Sequence, residues 1–190
     1  MIYEATFLAN DVLCLLDILV KRDDGWHAYE VKSTTGKVHD IQIYDAALQY
    51  YVMGQSGLEV QDISIVNINS DYMRQGDIEP GKLFKTESIY YLVLALQDEI
   101  RQEVEALKKV AARKTAPVVK IGRQCTTPFQ CPLKNHCWRD VPVSSVLDFS
   151  DIHRMEERFE LYHQGTRRIT DIKDWKALKP PYNFMVECHV

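Results

Sequence analysis

The stretch Leu15-Leu16-Asp17-Ile18-Leu19-Val20 and the later stretch Tyr29-Glu30-Val31-Lys32-Ser33 decide the predicted fold. Both place polar side chains among aliphatic and aromatic ones, a pattern typical of β-strands. The polar run between them, residues 21–25, predicts a tight turn that pairs the two strands antiparallel. Residues 2–7 alternate in the same way, so we predict a meander of three strands at 2–7, 12–20 and 26–31.

A helix and a fourth strand follow this meander. Apolar residues recur at helical spacing from residue 38 to 53, and Gly54 and Gly57 end the pattern. Residues 60–68 return to a strand rich in β-branched side chains. The order βββαβ predicts an α/β domain with a central mixed sheet and helices on its faces.

The sequence of the second half of the chain predicts mostly helices. We predict a loop at 69–85, a long helix at 88–114 that Pro117 stops, further helices at 146–162 and 169–178, and a tail from Pro180. This organisation gives three segments: a core at 1–115, a cysteine-rich loop at 116–140 and a helical C-terminal extension at 141–190.

The composition excludes several classes of protein. The chain has 190 residues, of which 46% are hydrophobic and 26% charged, an ordinary globular balance that argues against disorder. No apolar run reaches the roughly 18 residues of a membrane helix. The N-terminus lacks a secretory signal, so we expect a cytoplasmic protein with no membrane partner.

The net charge of -4 conceals an uneven distribution. Residues 1–100 carry -9, residues 101–140 carry +6 and residues 141–190 carry -1. An acidic half beside a basic segment suits a metal-dependent site next to a phosphate-binding surface. We predict nucleic-acid contacts at five basic residues: Lys108, Lys109, Arg113, Lys114 and Arg123. For the first four of these, a solvated helix face is an equally good interpretation.

The polar residues of the first two quoted stretches suggest a cation site. Residues two apart on a strand share a face, so Glu30 and Lys32 should project together while Val31 enters the core. Hairpin pairing should bring Asp17 close to Glu30, and two adjacent carboxylates favour Mg²⁺ or Mn²⁺ between them. We predict Asp17, Glu30 and Val31 as metal contacts, with Lys32 acting on water or phosphate.

Three of the five cysteines form a second candidate metal site. Cys125, Cys131 and Cys137 follow the spacing Cys-x5-Cys-x5-Cys, which in a reducing compartment favours metal over disulfides. A closed zinc or iron–sulfur site needs four ligands, so the fourth would be His136, Cys14, Cys188 or a residue outside this chain. Three loop cysteines without metal are the alternative.

The order of these motifs resembles the PD-(D/E)XK nuclease superfamily. Asp17, twelve intervening residues and then Glu30-Val31-Lys32 on a βββαβ plan match its pattern, and the resemblance is closest to the RecB-like branch that includes CRISPR-associated exonucleases. The resemblance covers roughly residues 2–140. The chain also resembles an uncharacterised bacterial family with the same domain. The resemblance implies a restriction-endonuclease-like fold, Mg²⁺- or Mn²⁺-dependent DNA hydrolysis, and a [4Fe–4S] cluster on Cys125, Cys131 and Cys137.

Two departures from the branch bear on these expectations. Its helix carries a glutamine and a tyrosine with three residues between them, but neither Gln42 nor Gln49 is followed by tyrosine at that interval. Asp45 and Gln49 share a helix face, so we expect Gln49 to be the catalytic glutamine, with Gln42 as the weaker candidate. In the branch, a cysteine that precedes the first strand is the fourth ligand of the cluster. The resemblance therefore implies that a missing N-terminal segment carrying this cysteine would be a partner of the chain.

The sequence therefore predicts a metal-dependent DNA nuclease with Asp17, Glu30, Lys32 and Gln49 in its site. Its partners would be single-stranded or duplex DNA and other DNA-processing proteins. A nucleic-acid-binding or assembly module with an idle nuclease fold is the alternative, as is a domain stabilised by zinc on the three loop cysteines and His136.

Overall fold

The computed structural model describes residues 1–148 and 155–173. The chain forms two compact units, Met1–Thr115 and Ala116–Val190. The first unit contains the whole sheet, and the second contains short helices and turns. Within the described residues, no helix is both long and apolar enough to cross a membrane.

The first unit is built on a five-stranded mixed sheet with the strand order β1-β2-β3-β4-β5. Strands β3 and β4 are parallel, and every other neighbouring pair is antiparallel. The strand bounds are β1 Ile2–Ala9, β2 Val12–Arg22, β3 Gly25–Thr35, β4 Val60–Ile68 and β5 Phe84–Ser88. The predicted α/β class and the βββαβ order are confirmed.

Tight turns join the first three strands. Asn10 and Asp11 connect β1 to β2 with φ angles of 50° and 58°, which both residue types adopt at low cost. Gly25, with φ 140°, opens β3 after the polar turn predicted from the sequence. Short polar connections of this kind fix the antiparallel register of both pairs.

Helix α1, Asp40–Gln55, is the crossover between the parallel strands β3 and β4. It packs over β1, β2 and β4 and buries Ala46, Ala47, Val52 and Met53. Under it lies the main apolar core, to which the sheet contributes Ala5, Leu16, Leu19, Ala28, Ile63 and Ile65. The predicted helix at 38–53 differs from α1 only by two residues at each end.

The segment after β4 departs from the prediction. Residues 69–85 contain a short helix, α2 Pro80–Leu83, and the start of β5. The predicted helix at 88–114 is two helices, α3 Tyr90–Ala95 and α4 Gln97–Ala111. At the junction of the two helices, the side-chain amide of Gln97 donates to the Val93 carbonyl at 3.0 Å.

Val31 does not enter the core, so that expectation is wrong. Val31 is 38% exposed, whereas Glu30 is 7% exposed. Alternation along β3 therefore places Glu30 and Lys32 on the face covered by α1 and Val31 on the opposite face. Leu13 and Leu15 of β2, also on that opposite face, are 59% and 51% exposed.

An irregularity interrupts the first two strands at the same level. Tyr3 pairs with Ile18 and Ala5 pairs with Leu16, so Glu4 and Asp17 stand opposite each other between these pairs. Glu4 has φ 51°, and the buried residues Leu16 and Leu19 of β2 are three apart instead of two. The sequence rule that odd spacing means opposite faces therefore does not hold across Asp17.

The second unit has its own small core. It contains α5, Lys134–Cys137, α6, Met155–His163, and 3-10 turns at Arg123–Cys125, Val146–Asp148 and Ile169–Asp171. The buried apolar residues of this core are Ile121, Cys125, Val146, Leu147, Tyr162 and Ile169. Parts of the predicted helices at 146–162 and 169–178, the tail from Pro180 and Cys188 lie outside the described residues.

Candidate active site

The polar residues of the candidate site meet where the carboxyl end of β3 passes under α1. Glu30 and Lys32 point from β3 toward this helix, and Asp45 and Gln49 point back from successive turns of it. The last pair between β2 and β3 is Ile18 with Tyr29, so Asp17 and Glu30 occupy the next positions along their strands. The structure thus brings the predicted strand residues into one region.

Asp17 is held by the backbone of the neighbouring strand. Its Oδ2 accepts a hydrogen bond from the Val31 N–H at 2.6 Å. A bond from a backbone amide to a carboxylate is short and charge-assisted, so it fixes the direction of the carboxyl group. Val31 therefore contributes to the site through its main chain, and the second oxygen of Asp17 is left for another partner.

Glu30 is a buried carboxylate that is only half satisfied. Its Oε1 accepts from the Lys32 ammonium at 2.8 Å. Its Oε2 is buried and has no hydrogen-bond partner. A buried acceptor without a donor costs about 1–3 kcal/mol, and more when it is charged, so this oxygen calls for a cation or a donor from outside the chain.

Lys32 joins β3 to helix α1. Its Nζ donates to Glu30 Oε1 and, at 2.6 Å, to Asp45 Oδ2. Partial burial is the largest influence on the pKa of Lys32 and lowers it, but the hydrogen bonds to Asp45 and Glu30 together outweigh burial and raise the pKa above its ordinary value. The side chain is therefore an ammonium at neutral pH.

The two candidate glutamines differ in how fully their side chains are used. Gln42 is part of the start of α1: its Oε1 accepts from the His39 N–H and its Nε2 donates to Thr34, both at 3.0 Å. Gln49 is 6% exposed, and its Oε1 is buried without a partner. Of the two, Gln49 has the free acceptor that a site residue needs.

Two residues of this region carry no predicted role. Asp45, the partner of Lys32, could have been found from its position one helical turn before Gln49. Asn67 of β4 pairs directly with Lys32 across the parallel strands, and its Oδ1 is buried without a partner. No local pattern indicates Asn67, because 34 residues separate it from Lys32 in the chain.

Cys14 lies on the α1 side of β2 and is buried, with its Sγ 4.0 Å from the Gln49 carbonyl oxygen. Burial is the main cause that raises the pKa of its thiol, and the negative charges of Glu30 and Asp45 act in the same direction. The thiol is therefore protonated at neutral pH, which disfavours a thiolate ligand at this position.

The predicted nucleic-acid contacts belong to both units. Lys108 is already engaged, since its Nζ donates to the Asn10 carbonyl at 2.7 Å and lies 3.4 Å from the Asp11 carboxylate. Lys109, Arg113 and Lys114 are exposed at the end of α4 and beyond it. In the second unit, Arg123 lies 3.3 Å from Glu156 in an exposed ion pair.

The three loop cysteines differ in exposure. Cys125 is buried, Cys131 is half-buried and Cys137 is exposed on α5, and all three are free thiols. The Cys131 N–H donates to the Cys125 carbonyl at 3.0 Å and so closes the first part of the loop. Among residues 1–148 and 155–173, no three His, Cys, Asp or Glu side chains are grouped as a metal site.

Comparisons with known proteins give no family for the chain. No protein-family model matches the sequence, and no curated protein is similar to it.

Proposed function

We propose that the protein is a metal-dependent deoxyribonuclease with a restriction-endonuclease-like core of the PD-(D/E)XK type. The observation that carries the proposal is Glu30: a buried carboxylate with one oxygen on Lys32 and the other without a partner. A structural ion pair would satisfy both oxygens, whereas a cation-binding carboxylate keeps one free.

The carboxylates present fit a hard divalent cation. Asp17 and Glu30 lie on adjacent strands, and each has one oxygen that the hydrogen bonds described above do not use. Carboxylate oxygens are the ligands that Mg²⁺ and Mn²⁺ prefer, and Mg²⁺ is commonly held by one or two carboxylates together with waters and substrate phosphates. The bound ion would supply an activated water and neutralise charge on the phosphate.

The remaining residues have roles that follow from their charge and position. Lys32 is an ammonium at neutral pH, so it acts as a donor that holds water or a phosphate oxygen and stabilises negative charge as the phosphodiester reacts. Asp45 holds the ammonium from α1. Gln49 offers its free carboxamide oxygen to a water or to the lysine.

DNA would be held by the exposed basic residues that follow the acidic part of the chain. Lys109, Arg113 and Lys114 offer three exposed positive charges within six residues. Contacts of this kind recognise phosphate without reading base sequence, and their strength falls as salt rises. Lys108 would contribute less, because the turn between β1 and β2 already binds its ammonium.

The experiment is a cleavage assay on single-stranded and duplex DNA with Mg²⁺ or Mn²⁺, comparing the unaltered protein with Lys32→Ala and Glu30→Gln. Lys21→Ala is the matched control, because Lys21 pairs with Trp26 near the opposite end of β3. We expect both site variants to lose cleavage by at least about a hundredfold, while the control cuts at the unaltered rate.

Binding of Mn²⁺, measured by calorimetry, tests the metal separately. Glu30→Gln should weaken it at least about tenfold, since it removes one of two carboxylates. DNA binding without cleavage by the unaltered protein would favour an idle binding module instead. Cleavage that Lys32→Ala leaves intact would contradict the proposed site.

A further inference from the structure

The buried amide of Asn67 has no structural use among the described contacts. The residue is 4% exposed, and its Oδ1 has no hydrogen-bond donor. Asn67 lies in β4 between Ile65, which is fully buried, and Ile68. An aliphatic side chain at position 67 would pack there without leaving an unsatisfied polar atom. A buried polar atom without a hydrogen-bond partner lowers the stability of the fold. Its presence therefore points to a hydrogen bond that forms in another state of the site.

One sheet neighbour of Asn67 is the lysine of the proposed site. Asn67 pairs with Lys32 in the parallel register of β3 and β4, and both side chains lie on the face covered by α1. The Lys32 ammonium carries three N–H donors. Two of them are directed to Glu30 and Asp45, which leaves one without a described acceptor.

We propose that Asn67 is a positioning residue for Lys32, with its Oδ1 accepting the third N–H of the ammonium when Glu30 turns its oxygens to a cation. The inference rests on the proposed function. Asp45 and Asn67 then hold the ammonium from the helix and from β4, so that Lys32 keeps a fixed direction toward the phosphate. Neutral Asn67 achieves this without adding a third carboxylate around the ammonium to those of Glu30 and Asp45.

The position on β4 also explains why an amide is used. A carboxylate there would compete with Glu30 for the lysine, and an aliphatic residue would leave the third N–H without an acceptor in a partly buried site. Lys85 of β5 pairs with Asn67 on its other side and is exposed. It is the one other described lysine that pairs with Asn67 in the sheet, so it serves as the control.

The test compares Asn67→Leu, which removes the acceptor at similar volume, with Asn67→Asp, which keeps an acceptor oxygen, and with Lys85→Ala. Each full-length variant is measured for thermal stability, kcat and KM on DNA with Mn²⁺, and Mn²⁺ affinity. We expect Asn67→Leu to have a Tm equal to or above that of the unaltered protein, with kcat reduced about a hundredfold and KM within about twofold. Asn67→Asp should recover only part of the lost kcat, because it restores an acceptor oxygen but also competes with Glu30 for the lysine. Lys85→Ala should leave kcat unchanged.

A lowered Tm with an unchanged kcat in Asn67→Leu would mean that the amide is structural and would overturn the inference. An equal loss in Lys85→Ala would assign the amide to that lysine and overturn it as well. These results differ from failure of the proposed function, in which the unaltered protein and Lys32→Ala are equally inactive and the inference falls with the site.

Discussion

Lys32 Nζ lies 2.6 Å from Asp45 Oδ2, so a single ion pair joins the carboxyl end of β3 to the middle of α1. The pair is partly screened by solvent, since the Lys32 side chain is 23% exposed and that of Asp45 46%. Its energetic contribution to stability is therefore small, while its effect on the direction of Lys32 is large, because the other partner of the ammonium is the proposed cation ligand Glu30.

Asp45→Asn should separate these two effects. We expect cleavage to fall about tenfold, because the ammonium loses its charged partner on α1, and the free energy of unfolding to fall by less than about 1 kcal/mol. The comparison is Asp98→Asn, which removes an exposed carboxylate paired with Arg101 at 2.8 Å on α4. Chemical denaturation and initial cleavage rates measure both quantities, and equal cleavage by the two variants would contradict a role for Asp45.

Tyr50 provides a pH-dependent prediction. Burial, together with a hydrogen bond and electrostatic repulsion from Tyr90, raises the pKa of Tyr50 from 10.0 to about 12. The folded state therefore favours the neutral phenol, so this contribution to stability is complete below pH 10 and is lost as the pH rises from about 10 to about 12.

Tyr50→Phe cannot lose a proton and should show a smaller fall in unfolding free energy across that interval. Denaturation at several pH values measures the fall, and phenolate absorbance follows the titration. The same loss of stability in both proteins would show that another group controls the alkaline transition.

Two glycines should respond to alanine with opposite signs. Gly25 has φ 140°, and a Cβ there would collide with Cγ of Gln61, so Gly25→Ala should destabilise the first unit by about 1–3 kcal/mol. Gly54 lies in α1 with open space at its Cβ position, so Gly54→Ala should stabilise by about 0.5–1 kcal/mol. Thermal or chemical unfolding of the two variants checks both signs, and a stable Gly25→Ala would contradict the turn geometry.

The loop cysteines give a prediction about metal content. We propose that Cys125, Cys131 and Cys137 bind a [4Fe–4S] cluster, with zinc as the alternative, and that the fourth ligand is His136, Cys188 or a residue outside the chain. Replacing all three with serine should remove the iron and the visible absorption, whereas Cys14→Ser should retain both because Cys14 is buried under α1. Elemental analysis distinguishes iron from zinc, and a folded, metal-free protein after anaerobic purification would contradict either site.

The sequence predicts those strands whose buried residues leave a pattern of apolar side chains. Strands β2 and β3 extend past the predicted bounds by a few residues, and β4 spans 60–68 as predicted. Strand β5 was missed because all five of its residues are exposed, so no alternation marks it. The single long helix predicted at 88–114 is two helices, because apolar spacing alone does not show where one helix ends and the next begins.

The site was predictable only where its residues are close in sequence. Glu30 and Lys32 share a face of β3, as expected, but the sequence does not reveal which face the helices cover, so Val31 was assigned to the core wrongly. Helical spacing from Gln49 could have predicted Asp45. Asn67 could not be predicted in this way, because only the parallel register of β3 and β4 places it beside Lys32.

The paired irregularity at Glu4 and Asp17 has a genetic consequence. Loss of either codon alone would shift the pairing of β1 with β2 by one residue on one side of the irregularity, because the residues beyond it would lose their present partners. Loss of both would leave the pairing of Tyr3 with Ile18 and of Ala5 with Leu16 unchanged. The two positions therefore form one unit of insertion or deletion, and a relative that lacks one of them should lack the other, together with the carboxylate that the proposed site requires.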